Sequence, residues 1–500
     1  MSDIIPLVNA QKFTSAGFRV TILLEHPITL ERQHALRRGI QHAQRQGREI
    51  LVSWSEPTGA WDLIELFERG RQITPDCQYW SQPGDDLALA GLGIAFAIEV
   101  VEASRFRQAA NAWRHLLTEA IVEGPRGLPG VGPLLLGGFA FDAQQPSTRL
   151  WQGYPHGYLV LPRLLFTRIQ GETWLTYSVV VDSRTDPEAE AASLIALRNH
   201  VLALGIGPER KNGHAPHSPN GHGAHVTVHE LRPAAEWRAE VAKAAHVIKS
   251  HELEKVVLAL AVQLQADKPF DPAQALRHLA EHYRGCYLFA VARGERCFLG
   301  ATPEQLVRLR AGEVTTMSLA GSIRRGETPE EDERLGQALL ESAKDRDEHA
   351  VVTRAVLEAL GETCEALQVS DEPSLLKLGN IQHLCTPIKG RLHNGHGLLD
   401  LVERLHPTPA VGGRPRDAAL QLIREHERLD RGWYAGPVGW LDERGQGEFA
   451  VALRSALLHG NTATLFAGCG IVADSDPERE YAEAELKFRP MFAALNPSGH

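Results

Sequence analysis

The chain has 500 residues, 43% apolar and 23% charged, with a formal net charge of -10 and an isoelectric point near 6.2. That balance describes a globular protein, either of two or three domains or one large two-lobed unit, and excludes wholesale disorder. It also excludes a sequence-independent nucleic-acid binder, which would need a basic surface to neutralise phosphates; a small anionic ligand stays open, because a few local cations decide that.

The first residues carry no basic stretch followed by an apolar run, and no window of about 18 apolar residues occurs. Cys77, Cys286, Cys297, Cys364, Cys385 and Cys469 are scattered without a C-x-x-C pair. They read as reduced thiols, not as a zinc site or a disulfide framework. The expectation is a cytoplasmic protein with no membrane segment.

In chain order, runs of β-branched and aromatic residues predict strands at 18–24, 50–54, 134–141 and 174–181, with helices at about 95–120 and 187–203. Residues 205–225 are almost free of apolar side chains and rich in Gly, Pro and His. They predict a mobile surface linker, in which His214, His217, His222 and His225 read as solvated residues in preference to metal ligands. Beyond it, strands are expected at 255–264, 286–292, 314–320, 437–442, 448–457 and 463–467. Helices are expected near 234–250, 272–282, 329–342, 346–361, 415–429 and 477–487. The order predicts an α+β fold divided as 1–204, a linker at 205–230, and a catalytic region at 231–500.

Several residues in this second part are unusual where they stand. Lys255 opens a strand and shares a face with Val257, Ala259 and Ala261. Desolvation on such a face would lower its proton affinity and make it a usable base, although a strand-end lysine can equally point to water. Glu304 follows Thr302-Pro303, which on its own also describes a helix start. Glu348 falls on the apolar stripe of its helix with Val352 and Ala355, where a carboxylate needs a partner. Arg454 is placed on the small-residue face of a strand, where a planar guanidinium could take a carboxylate in two hydrogen bonds or pair with a core acid. Gly468 and Gly470 would let backbone N–H groups approach an anion, or mark a turn. Glu480, Glu483 and Lys487 stack on one helical face after the cap signal Ser475-Asp476-Pro477, a pattern shared with solvated helix faces. Carboxylates at 348 and 483, brought from different helices, make a hard-oxygen set suited to Mg2+.

Leu405-His-Pro-Thr-Pro-Ala-Val-Gly-Gly413, Arg431-Gly-Trp-Tyr-Ala-Gly-Pro-Val-Gly-Trp440 and Ala467-Gly-Cys-Gly-Ile-Val-Ala-Asp-Ser475, followed by the Glu480/Glu483/Lys487 triplet, resemble the chorismate-utilising enzymes, most closely the isochorismate synthases. The match is dense over about 236–490 and local before it, at Gly137-Gly-Phe-Ala-Phe-Asp142. The resemblance implies two similar subdomains whose central antiparallel sheets pack face to face with helices outside, as in anthranilate and aminodeoxychorismate synthases. The segment 1–204 would be a degenerate half of that fold.

It further implies Lys255 as the base that activates water and Glu304 as the general acid. Ala320, Gly321, Ser322, His383, Tyr434, Arg454, Gly468, Gly470 and Lys487 would bind substrate. Glu348 and Glu483 would hold Mg2+, with Glu480 acting through a water. Aminating members carry glutamine where Lys255 stands, and aminodeoxychorismate synthases carry a nucleophilic lysine where Ala320 stands; Lys389 occurs too late to serve. Leu260, Ser322 and Cys469 depart from the usual arginine, threonine and alanine. The resemblance thus implies Mg2+-dependent conversion of chorismate to isochorismate by a monomer or weak dimer without a glutamine amidotransferase subunit. Its alternatives are a salicylate synthase that goes on to eliminate pyruvate and a catalytically silent chorismate-binding protein.

Overall fold

The computed structural model describes residues 30–82, 87–145, 147–203, 226–250, 253–379 and 381–496. Within them the chain forms two large, mainly antiparallel sheets of 13 and 10 strands. The larger sheet has a seam at its centre, where Tyr287–Arg293 pairs with Asp76–Gln82. To one side lie, in order, Arg296–Thr302, Ser455–His459, Thr462–Ile471 and Lys255–Ala266; to the other lie Leu87–Leu92, Leu164–Ile169, Glu172–Val181 and Ile50–Thr58. Each side uses its strands in the same sequence order, so the chain builds one half-sheet twice. The smaller sheet repeats the arrangement about the pairing of Pro437–Asp442 with Leu134–Phe139.

The inner faces of the sheets meet, with hydrogen bonds crossing between them: Tyr287 Oη donates to Glu448 Oε1 at 2.7 Å and Tyr158 Oη to Asp76 Oδ1 at 2.9 Å. Helices cover the outside, among them Ala234–Lys249 and Pro477–Leu495 on the larger sheet and Ala343–Gly361 and Leu398–Leu405 on the smaller. Covered on both faces, the Lys255–Ala266 strand is a nearly unbroken apolar run without alternation. Cap chemistry sets the helix starts. Asp476 accepts from the N–H groups of Glu478 and Arg479 with Pro477 inside the first turn, and Asp271-Pro272 does the same for Pro272–His282.

The α+β class and the paired similar halves are as expected; several elements are not. The helix expected at 95–120 is a strand, Phe96–Val100, followed by a helix, Arg105–Leu117, because the β-branched pair at 100–101 ends an extended edge before Ser104. The single strand expected at 448–457 is two, Gly447–Val451 and Ser455–His459, which belong to different sheets. Part of the expected linker, Val226–Glu230, is an edge strand on Lys255–Ala266. The expected strand at 18–24 and the four linker histidines lie outside the described residues. All six cysteines are buried and unpaired, and no helix among the described residues is long and apolar enough to cross a membrane.

Candidate active site

A partly enclosed cavity lies in the C-terminal half. Its walls come from the Lys255–Ala266 and Thr462–Ile471 strands of the larger sheet and from Glu313–Arg324 and Ile381–Leu392 of the smaller. The helices Ala343–Gly361 and Pro477–Leu495 close it. Every residue singled out above as a catalytic, substrate-binding or metal candidate lines this one space.

One end is acidic. Ser342 caps the helix Ala343–Gly361, and Glu348 lies nearly two turns in from that cap, on the cavity side. Glu348 Oε1 accepts from Lys255 Nζ at 2.7 Å, and Lys255 is only 2% exposed. Burial pushes the Glu348 carboxyl up, but the Lys255 charge and hydrogen bond outweigh it and hold the group below its ordinary range. Gly470 makes room for this pair, since a Cβ there would stand 2.7 Å from Lys255 Cε and 2.9 Å from Glu348 Oε1. Glu483 pairs with Lys487 Nζ at 2.8 Å, and Lys487 also donates to Gly468 O at 2.9 Å.

Glu480 is buried with Lys344 at 3.7 Å; burial first and the Glu483 charge second raise its pKa to about 6. Ligand atoms of Glu480, Glu483 and Cys469 lie within 4.8 Å of one another, while Glu348 is engaged by lysine. Crowded carboxylates whose own charges oppose each other form a donor set that a hard divalent cation would relieve.

The other end is cationic. Between Val451 and Ser455 the chain leaves one sheet for the other, and Arg454 adopts a left-handed backbone, φ 46°. Arg454 therefore enters the cavity from a break between two strands and not, as expected, from the small face of one. Its NH2 donates to His383 Nε2 at 3.0 Å, while its buried NH1 has no partner among the described residues. An arginine N–H can only donate, so Nε2 accepts, and Nδ1–H then donates to Ser322 Oγ at 2.8 Å. Burial, with Arg454 and Lys487 nearby, drives the His383 pKa well below its ordinary value, so the ring is neutral. Ser322 sits opposite His383 because Gly321, at φ +76°, forms a bulge that re-aims the strand at Ala320/Ser322.

Between the two ends stands Glu304, in the crossing from Arg296–Thr302 to Gln305–Arg310. Thr302 Oγ1 does accept from Glu304 N–H, but a strand follows instead of a helix. Burial raises the Glu304 pKa to about 7 against the opposing charges of Lys255, Lys487 and Arg454, so the group can donate a proton near neutrality. Tyr434 stacks on Phe466 at 5.2 Å, and Phe466 on Trp151 at 5.5 Å, which carries a wall of the cavity into the N-terminal half.

The sequence reading missed Lys344, Asp345, Val411, Arg431, Leu453 and Phe466 as cavity residues. Two-residue periodicity with Gly468 and Gly470 would have found Phe466, and one turn before Glu348 would have found Lys344 and Asp345; Val411 and Arg431 carry no such local signal.

The chain's similarity to known proteins points the same way. The chorismate binding enzyme family profile matches residues 38–496. The chain is 42% identical to the salicylate biosynthesis isochorismate synthase of Pseudomonas aeruginosa, over 93% of this chain and 95% of that protein. It is 34% identical to isochorismate synthase MenF of Bacillus subtilis, over 93% and 98%. The solved structure of the menaquinone-specific isochorismate synthase MenF of Escherichia coli superposes with a TM-score of 0.73 at 29% identity, covering 92% of this chain and all of that one.

Proposed function

Since the chain belongs to the chorismate binding enzyme family, we propose that it is an isochorismate synthase, adding water to chorismate at C2 with loss of the C4 hydroxyl. The observation that carries this reading is the separation of roles in one cavity: a buried lysine at an acidic end, an arginine with a free, buried N–H at the other, and a neutral-range carboxyl between them.

Chorismate is a dicarboxylate. The unpartnered NH1 of Arg454 supplies a directed donor for one carboxylate, and the neutral His383 fixes that guanidinium by accepting from its NH2. Glu348, Glu480 and Glu483 would hold Mg2+. When bound, Mg2+ supplies positive charge that neutralises and orients the ring carboxylate.

Lys255 takes a proton from water, whose oxygen bonds to C2; the two ring double bonds shift, and the C4–O bond breaks. Glu304 gives the departing oxygen its proton, so one water enters and one leaves. Lys255 donates to Glu348 in this structure, so it must leave that carboxylate and give up a proton before it can take one from water. A lysine in this place also removes the need for an ammonia-supplying partner, and Ala320 offers no nucleophile for covalent attack.

The test is incubation of the purified chain with chorismate, with and without Mg2+, with chromatographic resolution of isochorismate, salicylate and pyruvate and Lys255→Ala alongside. Mg2+-dependent isochorismate that disappears in the variant supports the proposal. Salicylate with equimolar pyruvate would replace it by the lyase reading, and binding without turnover by the silent-binder reading.

A further inference from the structure

The outer edge of the Lys255–Ala266 strand is held in an unusual way. Its start pairs with Gly413–Arg414 and its end, from Val262, with Val226–Glu230. Between them, among the described residues, Val257 and Ala259 have no strand neighbour on this edge, yet their backbone groups are all satisfied. Val257 N–H donates to Gly412 O at 2.8 Å, and Val257 O accepts from Arg431 NH2 at 2.8 Å. Ala259 N–H donates to Glu427 Oε2 at 2.7 Å, and Ala259 O accepts from Trp237 Nε1 at 3.2 Å. Side chains thus supply three of the four partners that a neighbouring strand would give.

Glu427 and Arg431 are at the centre of this substitution. They form an ion pair of 2.5 Å in which each side chain is 1% exposed. Arg431 engages all three of its nitrogens: Nε on Glu427, NH1 on Val411 O at 2.9 Å, and NH2 on Glu427 and Val257 O. Its guanidinium also lies 4.2 Å from the Phe141 ring centroid, and its backbone O accepts from Tyr434 N–H. One pair therefore ties together the Lys255 strand, the 408–412 loop and the turn bearing Tyr434, and Val257, Val411 and Tyr434 all line the cavity. A fully buried ion pair is a poor source of stability, since desolvation cancels most of its attraction. What it gives here is a fixed relation among three backbone segments.

We propose that Glu427 and Arg431 are positioning residues, holding Lys255 in line with a substrate resting against the Tyr434 wall. The proposal rests on the isochorismate synthase reading, and the experiment separates the two. Glu427→Gln keeps an acceptor for Ala259 N–H but removes the ion pair, and Arg431→Lys keeps the charge but cannot reach Glu427, Val411 and Val257 together. Wild type and both variants are compared by steady-state kinetics on chorismate and by backbone hydrogen exchange.

The expected result is faster exchange in peptides covering 256–262, a kcat lower by about tenfold to a hundredfold, as for small misplacements of a catalytic group, and a KM changed by less than about threefold. Faster exchange with an unchanged kcat would make the pair merely structural and overturn the proposal, as would a loss carried entirely by KM. Unchanged exchange would overturn the clamp itself. A wild type that makes no isochorismate would sink the functional reading while leaving the exchange result to judge the clamp. Should Arg431→Lys fail to fold, Glu427→Gln decides alone.

Discussion

Glu304→Gln should make the protein more stable at pH 8 while nearly abolishing its activity. Burial raises the Glu304 pKa from an ordinary 4.5 to about 7. A raised folded-state pKa means that the folded chain binds this proton more tightly than the unfolded chain. The stabilisation is fully present below pH 4.5 and is lost as pH rises through about 7. About two and a half decades of proton affinity correspond to roughly 3 kcal/mol. Glutamine mimics the protonated acid at every pH, so the variant should match wild type at pH 4.5 and exceed it by roughly 3 kcal/mol at pH 8. With a melting entropy of about 2 cal/mol/K per residue, a chain of this size has near 1 kcal/mol/K, so the gap should reach about 3 °C in Tm. Differential scanning calorimetry without added metal, on both proteins from pH 4.5 to 8, reads it as a difference in which groups common to both cancel. Parallel Tm curves would refute the argument, because they would mean that Glu304 ionises in the fold without penalty.

The same group sets an alkaline limit on rate. A general acid must be protonated, so kcat/KM should fall as pH rises through about 7, and Glu304→Gln should lose about a hundredfold or more in kcat, read from initial rates across pH. Arg454→Lys removes the free NH1 and the hold on His383; KM for chorismate should rise at least about tenfold, and an unchanged KM would place the carboxylate elsewhere. Gly470→Ala puts a methyl group 2.7 Å from Lys255 Cε and should cut kcat about tenfold or more in a protein with native circular dichroism. EDTA should stop turnover and Mg2+ restore it. Glu483→Gln should raise the Mg2+ concentration for half-maximal rate by at least about tenfold, and isothermal titration should show the same loss.

Much of this site is legible in the amino-acid sequence because its chemistry requires residues that are costly in ordinary places. A lysine on an Ala/Val strand face, a glutamate on an apolar helix stripe and a Gly-x-Gly in a buried strand each violate local rules, and each lines the cavity. What local pattern could not show is where the chain changes sheet. The run at 448–457 alternates well enough to read as one strand, yet Ala452 to Arg454 carry it from one sheet to the other, and that break is what places Arg454. The bulge at Gly321 that sets Ser322 against His383 is equally invisible, being a property of two strands in register. The short strand at 96–100 lost to a helix pattern because five residues are too few for period to outweigh the helical run that follows.

The internal repeat shows why the candidate site lies in the C-terminal half. In both halves the first strand pairs with the last, Val256 opposite Ile471 and Ile50 opposite Val181, and in both a helix begins six residues later, at Pro477 and at Pro187. Aligning the halves on these points puts Val180 where Gly470 is, Ser193 where Glu483 is, Leu197 where Lys487 is, and Glu49 where Lys255 is. Valine leaves no room for a Lys–Glu pair above the sheet, and leucine and serine remove the charges. The insertions differ too. Residues 101–133 are all that separate Phe96–Val100 from the central strand of the smaller sheet, whereas residues 311–436 separate Gln305–Arg310 from its counterpart. That longer segment brings Ser322, Glu348 and His383, the wall that faces Lys255. The shared half-sheet therefore supplies a scaffold, and function enters where glycine opens space on it and an added layer closes that space with charge.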